Sequence, residues 1–192
     1  MRKSSATSEL HDYNKTMKLG ILSDTHFTSL ADGLHFMETL CVGPFSDVDL
    51  ILHAGDIVHP DLLYCFNDRP VLAVRGNCDE PSTGLPERRI EEIAGYRIGL
   101  THGWGPPKGI VGQVLGSFAD EQLDVLVFGH THYPFCRLCD DLLLINPGSA
   151  IDRRDAPYHS VGLLELGSTI QASIVNLDTW SEDSATQEGM KL

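Results

Sequence analysis

The chain has 192 residues, 42% hydrophobic and 7% aromatic, which suits one globular domain with a sizeable core. Its net charge of −13 argues against a protein that grips nucleic-acid backbone through basic patches, but leaves phosphate substrates open because bound cations can supply positive charge locally. Five cysteines, at 41, 65, 78, 136 and 139, lie mostly in apolar runs and fit reduced thiols; with no apolar signal core and no membrane-length run, the expected location is the cytoplasm.

Residues 1–16 are polar and read as a flexible tail outside the fold. Lys18 to Leu22 is a short apolar run that stops at Ser23-Asp24-Thr25-His26, the pattern of a buried strand in an α/β sheet. Leu30, Leu34, Met37 and Leu40 recur at helical spacing, so Ser29 to Leu40 is a predicted helix, ended by Gly43-Pro44. Asp49 to Ala54 is a second buried strand closing on Gly55-Asp56, and Leu62, Leu63 and Phe66 mark a short helix after Pro60. Val71 to Val74 is a third strand, running into Arg75-Gly76-Asn77-Cys78-Asp79. This order implies a right-handed parallel β-α-β-α-β unit.

Arg89 to Ile93 and Tyr96 to Leu100 flank the turn Ala94-Gly95, and Thr101-His102-Gly103 follows. A helix is expected over Lys108 to Phe118 despite three glycines, then a buried strand, Asp124 to Phe128, ending in Gly129-His130-Thr131-His132. The last third looks antiparallel: Phe135 to Leu138 with Leu142 to Ile145, and Val161 to Leu166 with Thr169 to Leu177. Residues 17–178 form one predicted domain, and 179–192 read as a flexible C-terminal tail.

Five strand ends carry seven oxygen or nitrogen donors: Asp24, His26, Asp56, Asn77, His102, His130 and His132. In α/β sheets ligands bind beyond the carboxyl ends of the strands. Asp56, Asn77, His102 and His130 each adjoin a glycine, read as permitting the tight turn that aims the side chain at the site. Mixed carboxylate, amide and imidazole donors suit manganese, iron, nickel or zinc better than calcium or magnesium alone. Two such ions can lower the pKa of a bridging water and clamp a phosphate during in-line attack.

Asp24-x-His26, Gly55-Asp56, Gly76-Asn77, His102-Gly103 and Gly129-His130-x-His132 resemble, in order, the motif set of the calcineurin-like metallophosphoesterases, with the nearest likeness to the small YfcE-like phosphodiesterases. The resemblance runs over about residues 18 to 177. It implies a four-layer α-β-β-α sandwich of two mixed sheets, an α/β (α+β) fold. It also implies a dinuclear phosphodiesterase working through a metal-bridging hydroxide. Asp24, His26, Asp56 and His132 would hold one ion, and Asp56, Asn77, His102 and His130 the other, with manganese the first choice. The candidate catalytic set is Asn77 and His102, which would offset phosphoryl charge, Cys78, and Asp79, read as orienting Asn77 or its loop. The turn Asn146-Pro147-Gly148-Ser149 also resembles the family's and is read as structural.

Cys78 stands where many relatives have a histidine proposed to protonate the leaving group. A thiol is a poor substitute for imidazolium at neutral pH, so diesters are favoured over monoesters with poor leaving groups. The expected partner is a small phosphodiester, with no stable nucleic-acid or membrane binding, and a homo-oligomer is left open. The alternatives are a protein-interaction scaffold of the same fold, like the retromer subunit that shares it, and a nucleotide phosphomonoesterase. His53 is expected as a hydrogen-bonded core residue and His59 as an exposed loop residue; His11, His35 and His159 receive no role. Cys136 and Cys139 fall on opposite faces of a strand and read as inert thiols.

Overall fold

A computed structural model describes residues 16–181 and 190–191 of the chain. The elements are β1 (Met17–Leu22), α1 (Leu30–Val42), β2 (Leu50–His53), β3 (Val71–Ala73), β4 (Arg88–Ile93), β5 (Tyr96–Thr101), α2 (Ile110–Gly116), β6 (Val125–Val127), β7 (Phe135–Cys139), β8 (Leu142–Asn146), β9 (Ser160–Leu166), β10 (Ile170–Asn176) and β11 (Met190–Lys191). One sheet has the order β11-β10-β9-β1-β2-β3 and the other β4-β5-β6-β8-β7. Both are mixed: β1, β2 and β3 are mutually parallel, while β9 runs antiparallel to β1; in the second sheet β5 is antiparallel to β4 and parallel to β6.

Alternation along the strands sorts side chains into three apolar layers. Leu19, Ile21, Leu52, Val125, Val127, Ile145 and Leu164 fill the space between the sheets. Leu22, Ile51 and Val161 face outward onto Met37, Leu40, Phe45 and Phe66 beside α1. Leu126, Phe128 and Leu144 face the opposite exterior, where Ile110, Val114 and Phe118 of the α2 region cover them. The result is the expected α-β-β-α sandwich. Cys136 packs toward the inter-sheet layer and Cys139 toward the α2 layer, on opposite faces of β7.

The first helix forms as expected, at Leu30–Val42, but the two after it are shorter. The segment after Pro60 is a five-residue 3-10 turn, Pro60–Tyr64. The helix expected over 108–118 narrows to Ile110–Gly116, because Gly109 takes φ 97° and caps it in the left-handed region. Ser29 is the N-cap of α1, its side chain accepting from the Asp32 N–H at 3.4 Å. The last third is not purely antiparallel: β7 and β8 pair as a hairpin, but β8 lies parallel to β6. Residues 1–15 of the expected N-terminal tail lie outside the described residues, as do 182–189 and 192 of the C-terminal one. Within that C-terminal stretch, Trp180 packs against the α1-side core and β11 pairs with β10, so part of it belongs to the fold.

Phe45 is fully buried and its ring lies 3.0 Å from where a Cβ on Gly20 of β1 would sit. It fills the side-chain gap in the strand that leads to Asp24. Phe45→Ala is expected to cost about 3–5 kcal/mol of stability in urea unfolding, the usual effect of emptying a buried aromatic site.

Candidate metal centre

The ends of β1, β2, β3, β5 and β6 project their loops to one edge of the sandwich, and backbone ladders continue past the strands. Asp24 N–H donates to Gly55 O at 3.0 Å, His26 N–H to Asp56 O at 3.1 Å, and Gly129 N–H to His102 O at 3.1 Å. Asp24, His26, Asp56, His130 and His132 all adopt positive φ, between 43° and 71°. Non-glycine residues held there are strained on the order of 1 kcal/mol or more each, so the surrounding structure must enforce the conformation.

The neighbouring glycines serve in two ways. Gly55 and Gly103 take positive φ, the turn role expected of them. Gly76 and Gly129 instead make room: a Cβ on Gly76 would fall 2.1 Å from Asp56 Oδ1, and one on Gly129 1.9 Å from Ser23 Oγ.

Five of the seven predicted donors converge. His102 Nε2 lies 3.3 Å from Asp56 Oδ2 and 3.8 Å from Asp24 Oδ1. His132 Nε2 is 3.3 Å from Asp24 Oδ1, and His26 Nε2 is 3.5 Å from Asp56 Oδ2 and 3.2 Å from His132 Nε2. Ligand atoms of Asp24, His26 and His132 lie within 4.8 Å of one another, as do those of Asp24, Asp56 and His102. His102 Nδ1–H donates to Ala54 O at 2.7 Å and His132 Nδ1–H donates to Asp152 O, so that in the neutral ring each Nε2 directs its lone pair toward the carboxylates. Asp24 Oδ1 and His102 Nε2 are buried and lack a hydrogen-bond partner among the described residues. Unpaired buried polar atoms are costly, so a donor set of this kind fits a divalent cation between them.

Charge is tightly coupled here. Burial alone would raise the Asp24 and Asp56 carboxyls, but His132 and His102 hold both below the usual range. Burial likewise works against charge on His102 and His132, yet Asp56 and Asp24 raise both imidazoles. At His26 burial prevails over the same carboxylates and lowers the ring's pKa.

Asn77 and His130 sit beside the cluster and engage each other. His130 Nδ1 is 2.9 Å from Asn77 Oδ1, and His130 Nε2–H donates to Gly105 O at 2.7 Å. Asn77 Nδ2 lies 3.2 Å from Cys78 Sγ. The Cys78 N–H donates to Asp56 Oδ1 at 2.7 Å, while burial and the Asp56 carboxylate push the thiol up to about 11.

Asp79, read as orienting Asn77 or its loop, faces the backbone. Its carboxylate accepts from the N–H groups of Asp56 (2.9 Å), Ile57 (2.7 Å), Val58 (2.8 Å) and Gly76 (2.8 Å). It is a positioning residue that joins the Asp56 loop to the Asn77 loop. His53 is a buried core residue: it accepts from Gly55 N–H through Nδ1, Nε2 lies 3.1 Å from Thr25 Oγ1, and burial lowers it to about 4.

Three supports carry no sequence signal of a site role. Asn146 Nδ2 donates to Gly129 O at 2.8 Å and bridges to Thr131, fixing the loop with both histidines. Ser149 Oγ donates to Asp24 O at 2.7 Å and accepts from Asp152 N–H at 2.9 Å. Arg154 lies close enough for its charge to oppose protonation of His26 and His132. The first two belong to a turn whose sequence reads only as structural; the third comes from an unpatterned loop.

The family model for the calcineurin-like phosphoesterase superfamily domain matches residues 17–169. A probable metallophosphoesterase of Methanothermobacter thermautotrophicus is 38% identical over 163 residues, covering 83% of this chain and 92% of its own. Phosphodiesterase YfcE of Escherichia coli K12 is 34% identical over 106 residues, 50% of this chain and 52% of its own. Among solved structures, Vps29 of Entamoeba histolytica in complex with Zn2+ superposes with TM-score 0.66 at 25% identity, covering 92% of this chain and 98% of its own.

Removing Asp79 leaves all the donors in place but releases four backbone N–H groups. Asp79→Ala is expected to weaken divalent-metal binding about 10–100-fold, the usual effect of losing a support behind the ligands, as measured by calorimetric metal titration.

Proposed function

The chain belongs to the calcineurin-like phosphoesterase superfamily, and on that premise we propose that it is a phosphodiesterase using two divalent ions, manganese foremost, in the cytoplasm. The observation that carries this reading is the pair of buried, unpartnered atoms, Asp24 Oδ1 and His102 Nε2, aimed with Asp56 at one point. Asp24, His26, Asp56 and His132 would hold one ion; Asp56, Asn77, His102 and His130 would hold the other once His130 leaves Gly105 O. When bound, such a pair activates water and offsets charge on the phosphoryl oxygens.

The chain's own residues do the rest. Asp56 Oδ1 is oriented by the Cys78 N–H, leaving Oδ2 toward His26 and His102. Asn77 and His102 border the space where the phosphoryl group would sit. Arg154 adds positive charge on the His26 and His132 side. Cys78 remains a neutral thiol at pH 7, a weak proton donor, so departure depends on a leaving group that needs little help. That favours activated diesters over monoesters. No helix among the described residues is long and apolar enough to cross a membrane.

The likeness to Vps29 favours one other reading, a protein-interaction scaffold with no turnover. A scaffold has no physical need for five converging donors. With manganese added, the protein is expected to hydrolyse bis(p-nitrophenyl) phosphate, and chelation should abolish turnover; stoichiometric manganese without hydrolysis would favour the scaffold. Cys78→His should raise the ratio of monoester to diester activity, and an unchanged ratio would refute the role assigned to Cys78.

A further inference from the structure

A cavity of about 520 Å3 opens directly off the candidate metal centre, sharing Asn77 and His102 with it. That volume lies within the range of small-molecule sites, roughly 300–1,000 Å3. Its outer wall differs in character from the rest of this acidic chain. Two arginines, Arg75 and Arg88, face it against one carboxylate, Glu87. Each guanidinium is held in place through one nitrogen: Arg75 Nη2 on Glu87, and Arg88 Nη1 on the Ser117 carbonyl. Arg88 also stacks over Phe118, 5.5 Å from its ring centre. A guanidinium has five N–H donors, so both can take an anion while staying anchored. Trp104 also lines the cavity and is 60% exposed. Its backbone is pinned, the N–H donating to Gln113 Oε1 at 3.3 Å.

We propose that this cleft binds one arm of a nucleotide-type phosphodiester, with the heterocyclic base stacked on Trp104 and a further phosphate on Arg75 and Arg88. The inference deepens the phosphodiesterase reading and rests on it for the position of the scissile phosphate. A large indole left exposed beside two anchored arginines suits a ligand with a planar ring and an extra negative charge. A simple alkyl diester would use neither. The chain carries 27 acidic residues against 14 lysines and arginines, so its general surface repels polyanions and recognition would stop at a short nucleotide.

The test compares adenosine 5′-monophosphate with ribose 5-phosphate for the base, and adenosine 3′,5′-bisphosphate with the monophosphate for the further phosphate, by calorimetry on the protein with manganese added. The wild type and Trp104→Phe should bind adenosine 5′-monophosphate about tenfold or more tightly than the sugar phosphate, as one stacked base contributes. Trp104→Ala should bring the two close to equal, and Arg88→Gln should remove the advantage of adenosine 3′,5′-bisphosphate over adenosine 5′-monophosphate. Equal binding in the wild type, a preference that survives Trp104→Ala, or an unchanged bisphosphate advantage in Arg88→Gln would overturn the proposal. Hydrolysis of bis(p-nitrophenyl) phosphate by the wild type is measured alongside. Turnover without a base preference refutes the cleft alone, whereas a base preference without turnover refutes the enzyme reading and leaves the cleft standing.

Discussion

Two carboxylates, Asp24 and Asp56, stand at the ends of neighbouring parallel strands and are almost completely buried. Placing two negative charges side by side out of water is costly, and the site is built around offsetting that cost. Imidazoles supply part of the compensation: His132 and His102 reach Asp24 and Asp56, and each is aimed by an Nδ1–H bonded to a backbone carbonyl. Backbone amides supply more, through His130 N–H on Asp24 Oδ2 at 2.9 Å and Cys78 N–H on Asp56 Oδ1 at 2.7 Å. What is left over, one oxygen of Asp24 and one nitrogen of His102, defines the place where a cation belongs.

That constraint reaches well beyond the donors. Holding the ligand-bearing loops in left-handed backbone requires anchors on every side. Asp79 gathers four N–H groups from two loops, Asn146 fixes the loop of His130 and His132, and Ser149 ties the end of β1 to the loop that orients His132. Gly76 and Gly129 let the chains approach to a distance that no side chain would allow. The sandwich beneath supplies rigidity, with β1 and β2 packed on both faces by separate apolar layers.

Much of this is legible in the sequence because its signals are local. Apolar runs that end in a polar donor mark both the strands and their functional ends, so β1, β2, β3, β5 and β6 can be placed with their candidate ligands. Motifs in a fixed order carry the family and the layered fold. The errors fall where local signals conflict or vanish. Pro60 and an apolar triplet imitate a helix start, yet only a 3-10 turn forms there. The polar C-terminal stretch conceals Trp180, whose packing is a tertiary contact. The place of Asp79 beside Asn77 and Cys78 suggests that it orients their loop, but the four amides that take its carboxylate are not displayed by the sequence. Nothing in the residue order distinguishes the two glycines that turn the chain from the two that make space for it, and nothing identifies Arg154.

Asp56 carries the most weight in the proposed centre, since it alone is assigned to both ions. Electron paramagnetic resonance of the manganese-loaded protein, with bound metal counted on the same sample, tests this directly. A carboxylate-bridged pair predicts two ions per chain and an exchange-coupled spectrum that Asp56→Asn converts to that of isolated manganese. Two ions with only isolated signals in the wild type, or a single ion at saturation, would contradict the bridged centre.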